Sequence, residues 1–151
     1  MIKIVCVGKL KEKYWKDAVL EYSKRISKYT KIEVIEVSDY NSSDINTILV
    51  QEKNDIIKHI SDRDCVITME IDGNQLDSKE LAKKIDSLYL NYSNLMFVIG
   101  GSYGLHEEIK KRSNYALSFS KMTFPHQMFR IMLLEQIYRS YKILNNESYH
   151  K

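Results

Sequence analysis

The residues of this chain that could do chemistry gather in two loops. Three of its five glycines, Gly100, Gly101 and Gly104, follow the apolar run Leu95-Met96-Phe97-Val98-Ile99. The only proline, Pro125, stands in the next loop, Ser118-Phe119-Ser120-Lys121-Met122-Thr123-Phe124-Pro125-His126. Glycine lets the main chain turn sharply and lets a ligand approach it closely. The two loops therefore predict a pocket walled by backbone. Gly100-Gly101-Ser102-Tyr103-Gly104 is not the dinucleotide fingerprint, which needs G-x-G-x-x-G after the first strand, and it lacks the lysine of a P-loop. A tight strand-to-helix turn accounts for it equally well, and Thr123 is a candidate cap ahead of Pro125. No carboxylate pair, zinc-spaced Cys/His set or serine beside a His/Asp pair is found, and His59, His106, His126 and His150 are scattered. Metal catalysis and triad hydrolysis therefore lack candidates. A backbone-lined pocket suits an adenine-containing cofactor, whose base main-chain N–H and C=O groups can hold.

The elements that must position these loops alternate along the chain. Ile2–Val7, Ile32–Val37, Cys65–Ile71, Leu95–Ile99 and Ala116–Phe119 read as strands. Asp72-Gly73 is a turn signal that closes the third. Lys13–Lys28 carries Trp15, Ala18, Val19, Tyr22 and Ile26 at helical spacing. Ser43–Ile60 reads as a polar helix capped by Ser42 or Ser43. Ser78 caps a helix with Leu81, Ala82, Ile85 and Leu88 as its inner stripe. Leu105–Arg112 is short, and Pro125–Leu144 is the longest helix, with proline in its first turn. Such alternation predicts a single α/β domain over residues 1–151 with a mainly parallel sheet flanked by helices. In these sheets ligands bind beyond the carboxyl ends of the strands, so both loops are expected on one edge. The last helix is apolar over more than half its circumference. A homodimer through that helix is expected, with burial under another element of the same chain as the competing account.

Composition sets wider bounds. With 151 residues, 44% hydrophobic and 28% charged, one soluble globular core is expected. No apolar run is long enough to span a membrane. The start, Met1-Ile2-Lys3-Ile4-Val5-Cys6-Val7, reads as a strand and not as a signal h-region. Cys6 and Cys65 are expected as buried free thiols in a cytoplasmic protein. The net charge of +3 is unevenly spread, for residues 1–31 carry +6, residues 39–86 carry −5 and residues 87–151 carry +4. Basic ends that meet could face phosphate, although ordinary solvated helix faces explain them too.

Several long strings resemble one family. Ser113-Asn114-Tyr115-Ala116-Leu117-Ser118-Phe119-Ser120-Lys121-Met122-Thr123-Phe124-Pro125-His126-Gln127-Met128 resembles the signature of the ribosomal RNA large subunit methyltransferase H family, within the SPOUT class. Val7-Gly8-Lys9-Leu10-Lys11, Ile99-Gly100-Gly101, Leu134-Glu135-Gln136-Ile137-Tyr138-Arg139 and the ending Tyr149-His150-Lys151 fit the same pattern. The resemblance runs end to end. It implies a trefoil knot in the C-terminal part, a homodimer and S-adenosylmethionine as cofactor. It also implies methylation of N3 of a pseudouridine in the helix 69 loop of 23S ribosomal RNA, in the assembled ribosome. The cofactor-binding positions it implies are Met69, Gly100, Phe119, Ser120, Lys121, Met122, Thr123 and Phe124. Met69 stands where the family commonly has leucine, a volume-conserving exchange. Ser102-Tyr103 departs from the Pro-Glu of many relatives, and the segment between Val37 and Asp62 is divergent.

Methyl transfer from a sulfonium is an in-line displacement, so positioning is the main demand. The imide N3 is a poor nucleophile while protonated, so its proton must be removed or the developing anion stabilised. His150 is the candidate base, with Tyr149 beside it; a solvated tail is the bland alternative. Arg130, Arg139 and Lys142 are read as phosphate or partner contacts, against i, i+4 pairing of Glu135 with Arg139. A noncatalytic nucleotide- or RNA-binding α/β module and a flavin or nicotinamide oxidoreductase are the rival readings.

Overall fold

The apolar runs assemble into one sheet. The computed structural model describes residues 1–151. In chain order they form β1 (Ile2–Val7), α1 (Lys13–Ile26), β2 (Ile32–Val37), α2 (Ile45–Ile57), β3 (Asp64–Gln75), α3 (Ser78–Leu88), β4 (Asn94–Ile99), α4 (Glu107–Arg112), β5 (Tyr115–Ser118) and α5 (His126–Leu144). The strands lie in the order β2-β1-β4-β3-β5, and every pairing is parallel.

Parallel sheets are covered on both faces, which is why the central strands are almost wholly apolar. Side chains alternate across the pleat. Ile2, Ile4 and Cys6 of β1, with Leu95, Phe97 and Ile99 of β4, face α1, α3 and α5. Val5, Val7, Met96 and Val98 face α2 and α4. Crossovers that step one way along the sheet use α1 and α3, and those that step back use α2 and α4, as one connection hand requires. Cys6 and Cys65 are buried free thiols. Burial pushes the Cys6 thiol up to about 12, far from the range of a nucleophile.

Three local expectations are corrected. The polar helix starts at Ile45 because Asp44 caps it, its carboxylate accepting from the Asn46 and Thr47 amides at 3.2 and 3.3 Å. The next helix is capped by Asp77, which forms a reciprocal capping box with Glu80. In both cases a carboxylate one position from the serine wins the amides, being charged and well placed. Asp72-Gly73 does not close β3. The strand continues to Gln75, and its register against β5 slips, so that Met69 and Asn74 both stand opposite Leu117. Residues 70–73 loop out as a bulge. Gly73 sits in it because a Cβ there would lie 2.9 Å from the Ala116 and Leu117 backbone.

Part of the apolar circumference of α5 is used inside the chain, while Ile131, Met132, Ile143 and Leu144 stay half-buried. α5 packs between α1 and α3 on the sheet, burying Leu133, Leu134, Ile137 and Tyr141. Tyr141 stacks on Tyr29 at 5.7 Å between ring centres, and Ser78 of α3 donates to Gln136 at 2.8 Å. Met128 at the helix start stays exposed.

Candidate active site

At the carboxyl end of β4 the chain turns on its glycines. The Gly104 amide donates to the Gly101 carbonyl at 3.1 Å, and Gly104 has φ +79°, in the left-handed region. A Cβ on Gly100 would stand 2.6 Å from the Gly104 carbonyl oxygen, and neither main-chain segment can yield. A Cβ on Gly101 would meet a Glu52 carboxylate oxygen at 2.9 Å and Val7 Cγ1 at 3.1 Å. Glu52, on α2, is buried beneath this loop. Burial, and secondarily the charge of Asp39, push its carboxyl up to about 7.

Three segments surround one cavity of about 370 Å³. The glycine loop forms one wall. The β3 bulge, with Glu70, Ile71 and Asp72, forms the second, and residues 117–124 form the third. Ser118 fastens the last two, its hydroxyl donating to the Ile71 carbonyl at 2.8 Å. Ser120 Oγ accepts from the Met122 amide at 3.0 Å and shapes the turn. Phe129 of α5 packs on Phe119 and Phe124 at 5.1 and 6.3 Å between ring centres, which fixes the loop to the helix. Thr123 is no cap, because α5 begins after Pro125 with no side-chain cap.

The structure brings Met69, Gly100, Phe119, Ser120, Met122, Thr123 and Phe124 together around this cavity. Lys121 is exposed and does not line it. Arg130 is corrected outright. It is 3% exposed, donates to Glu36 Oε2 at 2.6 Å and to the Gly8 carbonyl at 3.0 Å, and leaves its Nε buried without a partner. It is an internal tie and is not presented to any phosphate. Arg139 forms the i, i+4 pair with Glu135 at 2.7 Å, and Lys142 pairs with Glu147.

The C-terminal tail folds back on this part of α5. Tyr149 packs edge-on against Tyr138, stacks beside the Arg139 guanidinium and donates to Glu135 at 3.1 Å. Burial and the Glu135 carboxylate hold its phenol above the usual range. His150 Nδ1 lies 3.3 Å from Arg139 Nη1. A guanidinium has no lone pair to offer, so Nδ1 accepts, and the ring proton is left on Nε2. His126 touches the cavity, and about 20 Å of helix lies between it and Arg139. His150 is not among the residues that line the cavity.

A family model described as "Predicted SPOUT methyltransferase" matches residues 1–150. The chain belongs to the SPOUT methyltransferases. It is 54% identical, over 99% of both chains, to a Methanococcus vannielii protein named "Putative ribosomal RNA large subunit methyltransferase H", and it is a homologue of that family. Two solved structures share the fold. A "probable methylase family protein" from Haemophilus influenzae superposes with TM-score 0.58 at 16% identity, covering 99% of this chain and 70% of the other. A "tRNA (m1G37) methyltransferase" from Aquifex aeolicus superposes with TM-score 0.53 at 15% identity, covering 91% and 69%.

Several pocket residues of this SPOUT methyltransferase escape sequence reasoning. Glu70, Ile71 and Asp72 enter only because the strand bulges, and the one hint was the Asp-Gly pair, which reads more simply as a turn. Lys110 and Phe129 arrive from helices, where their spacing looks like ordinary surface and core. Glu52 gives no signal at all, since a lone glutamate on a polar helix is normally solvated.

Proposed function

We propose that this protein transfers a methyl group from S-adenosylmethionine to N3 of a pseudouridine in the helix 69 loop of large-subunit ribosomal RNA. It would act in the cytoplasm, on the assembled ribosome, as a homodimer whose C-terminal part is knotted. The observation that carries the reading is the glycine-walled cavity at the carboxyl ends of β3, β4 and β5. Its volume lies within the usual range for small-molecule sites. Gly100 permits the close turn onto Gly104 that makes this wall main chain, a wall suited to an adenine edge, and Met69, Leu117 and Phe129 supply the apolar remainder. The residues thus fit the cofactor. When bound it supplies an electrophilic methyl carbon on a positively charged sulfur.

The chain's own part is alignment and charge. The three walls would hold the cofactor so that its methyl group faces N3, and orientation would be their main contribution. His150 is better read as a donor than as a base. With Nδ1 occupied by Arg139, it offers an Nε2–H to a carbonyl oxygen of the imide, where negative charge grows as the N3 proton is lost to solvent. Because His150 does not line the cavity of its own subunit, the tail that serves a pocket would come from the second copy. Pairing through the exposed start of α5 leaves that possible.

The test is transfer of labelled methyl to ribosomes from a strain lacking this activity, followed by mapping of the modified base. Label on N3 of a helix 69 pseudouridine is the expected outcome. Cofactor binding without any transfer would instead support a noncatalytic module.

A further inference from the structure

Arg130, unavailable to a phosphate itself, is spent on holding a different basic segment in place. Its guanidinium donates to the Gly8 carbonyl and to Glu36, and the same Glu36 oxygen accepts from the Leu10 amide at 2.8 Å. The Gly8 amide donates to Val37 at 2.8 Å, and Gly8 adopts φ +93°. The Leu10 side chain is buried at 8% exposure. Three hydrogen bonds and the buried Leu10 side chain thus pin the four residues Gly8 to Lys11. Among them, Lys9 and Lys11 flank the buried leucine, and both are exposed without an ion-pair partner.

The position of this loop matters as much as its rigidity. It leaves β1 next to β4, on the sheet edge that carries the cavity. Val7 Cγ1 lies 3.1 Å from where a Cβ on Gly101 would stand, beside the nearer Glu52 carboxylate, and Arg130 lies one helical turn beyond His126, which touches the cavity. Lys9 and Lys11 therefore project from a pinned main chain on the same sheet edge as the cavity, without lining it. Arg130 is buried while the Glu36 side chain is 33% exposed, so the pair ties the inside of the helix to the base of the loop. Fixing the direction of an exposed loop is a use that a flexible surface lysine could not serve.

We infer that Lys9 and Lys11 form a phosphate-binding rim that seats the sugar–phosphate backbone of the substrate RNA beside the pocket, with Arg130 and Glu36 as its positioning residues. The inference rests on the proposed RNA substrate. Backbone contacts fix register without reading sequence, and each neutralised phosphate steepens the salt dependence of binding.

The test is binding of the dimer to isolated large ribosomal subunits across a potassium chloride series, with the double variant Lys9→Gln/Lys11→Gln. The expected slope of log affinity against log salt is about 1.5 to 2 units shallower than for the unaltered protein. In steady state, KM for ribosomes should rise while kcat and S-adenosylmethionine affinity in calorimetry stay within about twofold. The pair Lys58→Gln/Arg63→Gln, exposed at the opposite edge of the sheet, removes the same charge and should leave the slope unchanged. Equal slopes for Lys9→Gln/Lys11→Gln and the unaltered protein would overturn the rim, as would an equal loss in the Lys58/Arg63 control. Sedimentation showing that Lys9→Gln/Lys11→Gln is monomeric would also overturn it, in favour of a subunit contact. None of these results bears on methyl transfer by the unaltered protein, whose absence would count against the proposed function alone.

Discussion

The glycine-loop pocket and the C-terminal tail are held by different forces. The pocket wall is main chain, and Gly100 is packed so closely against Gly104 that no side chain fits. Its shape follows from covalent geometry and a sheet register, and its three walls come from one chain. The tail is held by side chains alone. Glu135 gathers Arg139 and Tyr149, and Arg139 in turn meets His150. Such contacts are partly exposed, each worth little, and easily exchanged for others. A rigid pocket suits a ligand that is always the same. A tail latched by exchangeable ion pairs suits a group that meets its substrate only when a large partner is in place.

The largest expected effect is on the pocket side. Gly100→Val must push the loop away from Gly104, so S-adenosylmethionine affinity in calorimetry should fall at least about a hundredfold, with the unfolding transition retained. An unaltered titration curve would remove the pocket from the argument. The tail should break differently. His150→Ala should lower kcat by about a hundredfold and leave cofactor affinity within a few-fold. His150→Gln, which keeps an N–H, should recover part of the loss. Recovery absent in the glutamine variant would restore the histidine to the role of base.

Glu52 sharpens the contrast, because it lies beneath the rigid wall and has no counterpart in the tail. Its carboxyl titrates at about 7 in the folded chain, against an ordinary value of 4.5. Between those values the folded state binds more protons than the unfolded state, so this group makes stability fall as pH rises from about 4.5 to 7. Glu52→Gln should flatten that decline and leave the variant more stable at pH 8 by about 1–3 kcal/mol, read from denaturant midpoints at several pH values. A variant that tracks the unaltered protein at every pH would mean the carboxylate is solvated. The smallest effect belongs to Met69→Leu, which keeps volume and polarity in the pocket wall. Cofactor affinity should move by less than about threefold, and a larger change would show that the thioether itself contacts the ligand.

Much of this molecule was legible before any coordinates. β1 and β2 fall on the expected residues, and Leu95–Ile99 proves to be the doubly covered strand its continuous apolar run described. The pairing of Glu135 with Arg139 was open to reading from helical spacing. The misreadings share a cause. Serines 43 and 78 lost their capping roles to neighbouring aspartates, and Asp72-Gly73 became a bulge, because competition and register depend on what lies opposite.

Local sequence by itself determined the strands, the helices and the two bends where backbone is exposed, since those follow from side-chain periodicity and from glycine's missing Cβ. Only the tertiary structure decided the fate of the charged groups. Arg130 and Glu36 are 94 positions apart, and nothing near either residue announces the other. A charge is placed by whichever partner the fold brings within about 3 Å, because the electrostatic and desolvation terms at that distance exceed any local preference.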